Sequence, residues 1–408
     1  MDKITTLLSQ KILSNKAKIS DFFNDEFGLT NPLFYNSLDI RNSGFKVAAI
    51  DTNCFPAGFN NLRARSINKA TKEVGNLING KYPNAKNIIL IPENNNRNIN
   101  YAKNIQALYK ILAKNFNVKI GVITQDNNHG QYYEINNQKI DLYNLQKNDK
   151  GHLYCNDFKA DLIILNNDLS DGMAEILTNS ATEILPTPKI GWYNRSKYQH
   201  FISYNDIALK IANIIDIDPW LISTEIELAT NVDFKEKIGI DELASKVELI
   251  LSKTKKHYID NKINLQPACY IKADSGTYGM AVWMVQKVED VININKKNRN
   301  KMNITKGLVK NSKVIIQEAV PTIHKIDNKS AEPLLYMING QVVANLFRVN
   351  ENKDNINSLN SAGANFYDIL NLDSKRINQE NNSNELRLVN DLIAKIAALA
   401  SAKEANNK

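Results

Sequence analysis

The sequence predicts an α/β protein whose N-terminal region is built on a mostly parallel sheet. Two observations carry this expectation. Short apolar strands alternate with helix-spaced apolar positions, and three of these strands run into loops loaded with short polar side chains. Strand–helix alternation favours a parallel sheet, and in such sheets ligands bind beyond the carboxyl ends of the strands. A chain of 408 residues is long enough for two or three domains.

The first 40 residues read as helical turns, and Lys46-Val-Ala-Ala-Ile50 as the first buried strand. It enters the loop Asp51-Thr-Asn-Cys-Phe-Pro-Ala-Gly-Phe-Asn-Asn61, whose Phe55 and Phe59 argue that it packs onto the protein. Ile67, Ala70, Val74, Leu77 and Ile78 follow at helical spacing, with Gly80 as a stop. The unit then repeats. Asn87-Ile-Ile-Leu-Ile91 is a strand, Pro92-Glu-Asn-Asn-Asn-Arg-Asn98 a polar loop, Ala102 to Leu112 an amphipathic helix, and Val118 to Ile123 the next strand.

A hairpin over 131–145 interrupts the series, after which Asp161-Leu-Ile-Ile-Leu165 leads into Asn166-Asn-Asp-Leu-Ser-Asp-Gly172. One such loop could simply cap turns and helix ends, whereas three on one sheet edge suggest a binding site. Arg195, Lys197 and His200 come next among aromatics, in Gly191-Trp-Tyr-Asn-Arg-Ser-Lys-Tyr-Gln-His-Phe201. That segment allows three readings: a solvated amphipathic stretch, a carboxylate clamp, or a base-stacking platform. A helix over 206–215 and Ile217-Asp-Pro-Trp220 read as structural, and a helix over 241–258 leads to the next stretch.

The most informative stretch is Ala268-Cys-Tyr-Ile-Lys-Ala-Asp-Ser-Gly-Thr-Tyr-Gly-Met-Ala-Val282, an apolar strand carrying a lysine, a glycine loop and a second apolar strand. Gly276 and Gly279 allow backbone amides to approach an anion, and Lys272 supplies charge. Residue types alone leave a plain hairpin open, because neither the phosphate-loop nor the dinucleotide pattern is matched. A helix from 288, a basic run and the strand Lys313-Val-Ile-Ile-Gln-Glu-Ala-Val320 follow. Asn339-Gly340 then joins two strands within Glu332 to Asn350. A last helix carries Leu388, Leu392, Ile396 and Leu399 on one face, and its tail from Glu404 is expected to fray.

Lys272-Ala-Asp-Ser-Gly-Thr-Tyr-Gly-Met280 resembles the lid motif of the ATP-grasp ligases, and in this wording that of the proteobacterial glutamate–cysteine ligase family with an ATP-grasp domain. The resemblance extends over Asp51 to Asn61, Pro92-Glu-Asn94 with Arg97-Asn98, Asn166 to Ser170, Gly191 to Phe201 and Ile217 to Trp220. It implies an N-terminal substrate-binding α/β region over 1–240, a linker helix and lid over 241–316, and a C-terminal α+β subdomain over 317–408. ATP and Mg²⁺ would be the cofactors, and glutamate and cysteine the substrates, joined through an acyl phosphate. Another carboxylate–amine ligase with different amino-acid or peptide substrates is the alternative.

Residue by residue, the resemblance implies Lys272 and Arg348 as catalytic groups. Nucleotide would meet Lys272, Asp274, Ser275, Gly276, Thr277, Tyr278 and Gly279, and the hinge Gln317, Glu318, Ala319 and Val320. Amino acids would meet Asp51, Asn53, Asn61, Arg97, Asn167, Arg195, Lys197 and His200. Glu332, Asn350 and Asn360 would hold the metal, with Glu318 or Glu351 able to share. One departure stands out: where the family has Gly-Met-Gly, this chain has Gly279-Met-Ala281.

Composition sets the outer bounds, since 43% hydrophobic and 23% charged residues are ordinary for a soluble globular protein. The net charge of +8 is spread along the chain without a binding motif, which argues against a nucleic-acid partner. Cys54, Cys155 and Cys269 are far apart, and Cys54 sits among apolar residues as a structural side chain. No run approaches the roughly 20 apolar residues of a membrane span. The expectation is a soluble cytoplasmic enzyme without a membrane partner, with a homo-oligomer left open.

Overall fold

The structure is a computed structural model describing residues 2–93, 98–123, 132–135, 138–276, 281–302, 312–361, 363–371 and 383–408. An antiparallel sheet lies at its centre, in the order Asn365–Asp368, Gln341–Val349, Lys329–Ile338, Tyr35–Asn42, Val47–Asn53. Strands from both ends of the sequence therefore share one sheet: Leu38 stands opposite Leu335, and Ile40 opposite Ala49.

This corrects two expectations. The first 40 residues hold two helices, Lys3–Ser14 and Lys16–Leu29, but also the strand Tyr35–Asn42. Val47–Asn53 is an antiparallel edge strand and not the head of the parallel series. The physical reason lies in residues 38–41, where Leu38 and Ile40 alternate with Asp39 and Arg41 at the period of a strand. Gly44, at φ +83, then reverses the chain, so Val47–Asn53 pairs locally.

The expected parallel sheet is present beyond that point. Its order is Glu183–Leu185, Leu162–Asn166, Asn87–Pro92, Asn117–Val122, Gln138–Asn144 and Tyr132–Ile135, and only the last strand is antiparallel. A small sheet of Gln146–Lys147, Leu153–Cys155 and Phe158–Lys159 was not expected. The fourth sheet is antiparallel throughout, in the order Ile226–Ala229, Val314–Glu318, Cys269–Ala273, Val282–Val285.

Three layers explain the burial. Four helices, Lys3–Ser14, Lys16–Leu29, Lys197–Ile215 and Ser383–Asn406, cover one face of the central sheet through Leu38, Ile40, Val47, Ala49, Leu335 and Met337. The opposite face carries Tyr35, Leu334, Tyr336 and Ile338 against the helices Ala64–Lys81 and Ile99–Leu112 and the parallel sheet. Helix Ile240–Asp260 covers the fourth sheet through Leu243, Val247 and Ile250. Burying one Leu or Ile side chain contributes roughly 2 kcal/mol, so each face anchors its helices firmly. The last helix does not fray at Glu404: it runs to Asn406, and Glu404 is buried against Arg195.

Candidate active site

Alternation on Cys269–Ala273 decides where Lys272 points. Cys269, Ile271 and Ala273 face the core under helix Ile240–Asp260, so Tyr270 and Lys272 face the cleft towards the central sheet. Lys272 Nζ donates to the Ile50 carbonyl at 2.9 Å and to Gln317 Oε1 at 2.8 Å. Burial lowers its pKa to about 8; Asp51 and Asp39 oppose the fall, and Lys197 and Arg41 add to it.

Across the cleft stands a cluster of two carboxylates and two guanidiniums. Glu332 accepts Arg41 Nε at 2.6 Å and Arg348 Nη1 at 2.8 Å, and Arg348 Nη1 also reaches Asp39 Oδ2 at 2.8 Å. Burial pushes the Asp39 carboxyl up to about 6, with Arg348 pulling it down and Glu332 pushing it further up. Burial alone would lower Arg348, yet Asp39 and Glu332 hold it above its ordinary value. Arg348 Nε is buried without an acceptor, a donor left over beside the cavity. Arg41 also fixes the loop after Asn350, donating to the Asn355 and Asn357 carbonyls at 2.8 and 2.7 Å.

Three adjoining cavities make one trough. The first, holding Lys272, shares Asp39, Asp51 and Asn360 with the second, which shares Ala57, Gly58, Asn61 and Phe366 with the third. Gly58 is required where loop and sheet meet, because at φ +97 a Cβ would lie 2.4 Å from Tyr336 Oη. Asp51, Asn53 and Asn61 line the trough. Lys197 Nζ stands 2.5 Å from Asp51 Oδ1. Burial would raise the Asp51 carboxyl, but Lys197 and Lys272 hold it below its usual range.

Other residues singled out in the sequence are engaged elsewhere. Arg195 does hold a carboxylate, but it is the protein's own: Nε lies 3.2 Å from both oxygens of Glu404, and Nη1 donates to the Thr52 carbonyl at 2.7 Å. His200 is buried beside it, with Nε2 2.9 Å from Thr52 Oγ1 and Nδ1 3.4 Å from Glu404. Asn167 closes a local turn through the Leu169 N–H and donates to the Pro92 carbonyl. None of the three lines the trough.

Asp274 turns away from the cavity towards helix Lys197–Ile215, Ser275 sits half-buried after it, and Gly276 lines the cavity. Thr277, Tyr278, Gly279 and Arg97 lie outside the described residues.

In the segment expected to be the hinge, Gln317 bridges Lys272 and Thr224 Oγ1, and Val320 lines the cavity. The Ala319 N–H is spent on the Ala268 carbonyl at 2.9 Å. Glu318 is saturated by Lys46 Nζ at 2.8 Å, Trp220 Nε1 at 3.1 Å and the Glu225 N–H at 3.1 Å, and it braces this strand end. Among the expected metal ligands, Glu332 and Asn360 share the first cavity with Asp39. Asn350 is committed to the loop through Ser361 Oγ and the Asn352 N–H. Among the described residues no three His, Cys, Asp or Glu side chains gather as a metal cluster.

Asp39 and Arg41 escaped the sequence reading, and Asn166 was read only as one of several loop asparagines. Asp39 and Arg41 lie on the strand that was read as helical, and their alternation with Leu38 and Ile40 was the available signal. Asn166 is buried and joins three segments, donating to Tyr35 Oη and the Pro56 carbonyl and accepting from Asn104. Nothing in its local sequence separates it from the neighbouring asparagines.

The site sets a lysine-bearing sheet over an arginine–carboxylate cluster, and the family match that follows makes the protein an ATP-dependent carboxylate–amine ligase. The glutamate-cysteine ligase family model matches residues 9–405, and the chain belongs to that family. A solved structure from Methylobacillus flagellatus KT, provisionally assigned as a gamma-glutamylcysteine synthetase, is 32% identical with a TM-score of 0.88, covering 98% of this chain and 96% of that one. D-alanyl-alanine synthetase A from Vibrio cholerae O1 is 13% identical with a TM-score of 0.36, covering 76% of this chain and 80% of that one. VanG D-Ala:D-Ser ligase from Enterococcus faecalis is 12% identical with a TM-score of 0.37, covering 78% and 83%. The last two are too distant to bear on activity. No curated protein matches the chain. No helix among the described residues is long and apolar enough to cross a membrane.

Proposed function

We propose that this enzyme joins glutamate to cysteine as γ-glutamylcysteine, the first step of glutathione biosynthesis. The observation that carries the reading is the trough itself, in which Lys272 at one end and the loop over 51–61 at the other flank the Asp39–Arg348–Glu332 cluster. A free carboxylate is a poor electrophile. In the proposed reaction an oxygen of the glutamate side-chain carboxylate attacks the terminal phosphorus of ATP, and ADP leaves. The neutral cysteine amine then adds to the acyl phosphate carbon, phosphate departs, and the nitrogen loses a proton.

Lys272 meets the phosphates of ATP in this account, and the surplus donor of Arg348 faces the phosphoryl group in transit. Lys197 and Asp51, with Asn53 and Asn61, orient the amino acids. Asp39, Glu332 and Asn360 line one cavity and offer the hard oxygen donors that suit Mg²⁺. Bound there, the ion would offset phosphate charge. Three free, buried cysteines support a reducing cytoplasm.

The test is ADP release with glutamate, cysteine, ATP and magnesium, omitting each in turn. Release that needs both amino acids is expected. Equal release with unrelated amino-acid pairs would overturn the substrate assignment.

A further inference from the structure

We infer that Asp274 is a positioning residue that ties the nucleotide-facing sheet to the segment carrying Lys197. It stands two residues after Lys272, yet its side chain is buried and does not line the cavity. Asp274 Oδ1 accepts Ser196 Oγ at 3.0 Å and the Tyr198 N–H at 2.8 Å, and the Asp274 carbonyl accepts the Lys197 N–H at 2.8 Å. The first N–H groups of a helix have no partner within it. For helix Lys197–Ile215 the cap is thus divided: Ser196 takes the Gln199 N–H, and Asp274, from a different sheet, takes those of Lys197 and Tyr198. The bond from Tyr198 to the carboxylate is charge-assisted, and the positive end of the helix strengthens it.

The consequence lies within two residues on each side of the tie. Lys197 reaches Asp51, and Lys272 reaches the carbonyl of Ile50, which precedes Asp51. The two lysines that enter the trough therefore hang from one anchor. A shift of about 1 Å between reacting groups can cost on the order of 100-fold in rate, so a tie of this kind acts on turnover even though Asp274 touches no reactant.

The test rests on the ligase reading and separates from it. For Asp274→Ala the expected result is a fall in kcat of at least about tenfold with a rise in the share of ADP released without cysteine, because loosened reactants admit water. Asp274→Asn keeps the accepting oxygen and should restore kcat to within about threefold of wild type. Wild-type kcat in Asp274→Ala, or an Asn variant as impaired as the Ala variant, would overturn the proposal. If Asp274→Ala does not fold, Asp274→Ser, whose hydroxyl stands one atom closer to the backbone than the Asp274 carboxylate oxygens, weakens the bond to the Tyr198 N–H, and a loss in the same direction is expected. Hydrogen exchange over 197–199 reports the tie whatever the reaction proves to be. Faster exchange in Asp274→Ala is expected, and unchanged exchange refutes it.

Discussion

Raising the pH should loosen ATP through Lys272 alone. Burial holds this lysine at about 8, so the charged form dominates below that pH and is lost above it. About nine in ten side chains are protonated at pH 7 and about one in ten at pH 9. ATP is an anion throughout this range and favours the charged form, so its affinity should fall about tenfold from pH 7 to pH 9, or about 1.4 kcal/mol. Equilibrium titration of ATP by calorimetry, at constant magnesium, measures this without involving the titration of cysteine. In Lys272→Arg the charge persists across the range and the slope should vanish. Lys272→Ala should abolish ligation with the fold intact. A flat wild-type profile, or an unchanged slope in the Arg variant, would refute the assignment.

Three further outcomes are expected. Glu404→Gln leaves Arg195 buried without its carboxylate and should cost roughly 3–5 kcal/mol by urea denaturation. Burial would raise the Glu404 carboxyl, but Arg195 and His200 hold it down at about 2, so its contribution is full above the unfolded value near 4.5 and is lost as pH falls towards 2; acid-unfolding curves of the variant should lack that slope. Cys54→Ala should leave turnover unchanged, because burial pushes this thiol up to about 11 and removes it as a nucleophile. Ala281 sits at φ +48, a left-handed conformation that favours glycine, so Ala281→Gly should raise stability by up to about 1 kcal/mol, read as an increase in Tm.

What the sequence disclosed and what it hid have different physical origins. Local period and turn chemistry were legible: Lys272 on an alternating strand, and Asn339-Gly340 at φ 51 and 69 joining Lys329–Ile338 to Gln341–Val349. Partners distant in sequence were not. Arg195 has the fork geometry of a substrate clamp, but its carboxylate lies 209 residues away on the last helix. Glu318 resembles a hinge contact, and only the fold brings Lys46 and Trp220 onto it. The strand Tyr35–Asn42 was obscured because charged Asp39 and Arg41 are buried, which reverses the usual link between charge and solvent.

The sharing of the central sheet between distant segments also bears on how the protein is made. Val47–Asn53 and Tyr35–Asn42 leave the ribosome with one hairpin edge unpaired until Lys329–Ile338 follows. At roughly 5–20 residues per second, the intervening chain of about 280 residues takes roughly 15–55 s to synthesise. In that interval the parallel-sheet unit can complete itself, while the first hairpin waits with its apolar face uncovered. Cutting the gene between the two halves would therefore yield an N-terminal fragment with an open sheet edge, prone to self-association, and the fragments should regain activity only when co-expressed.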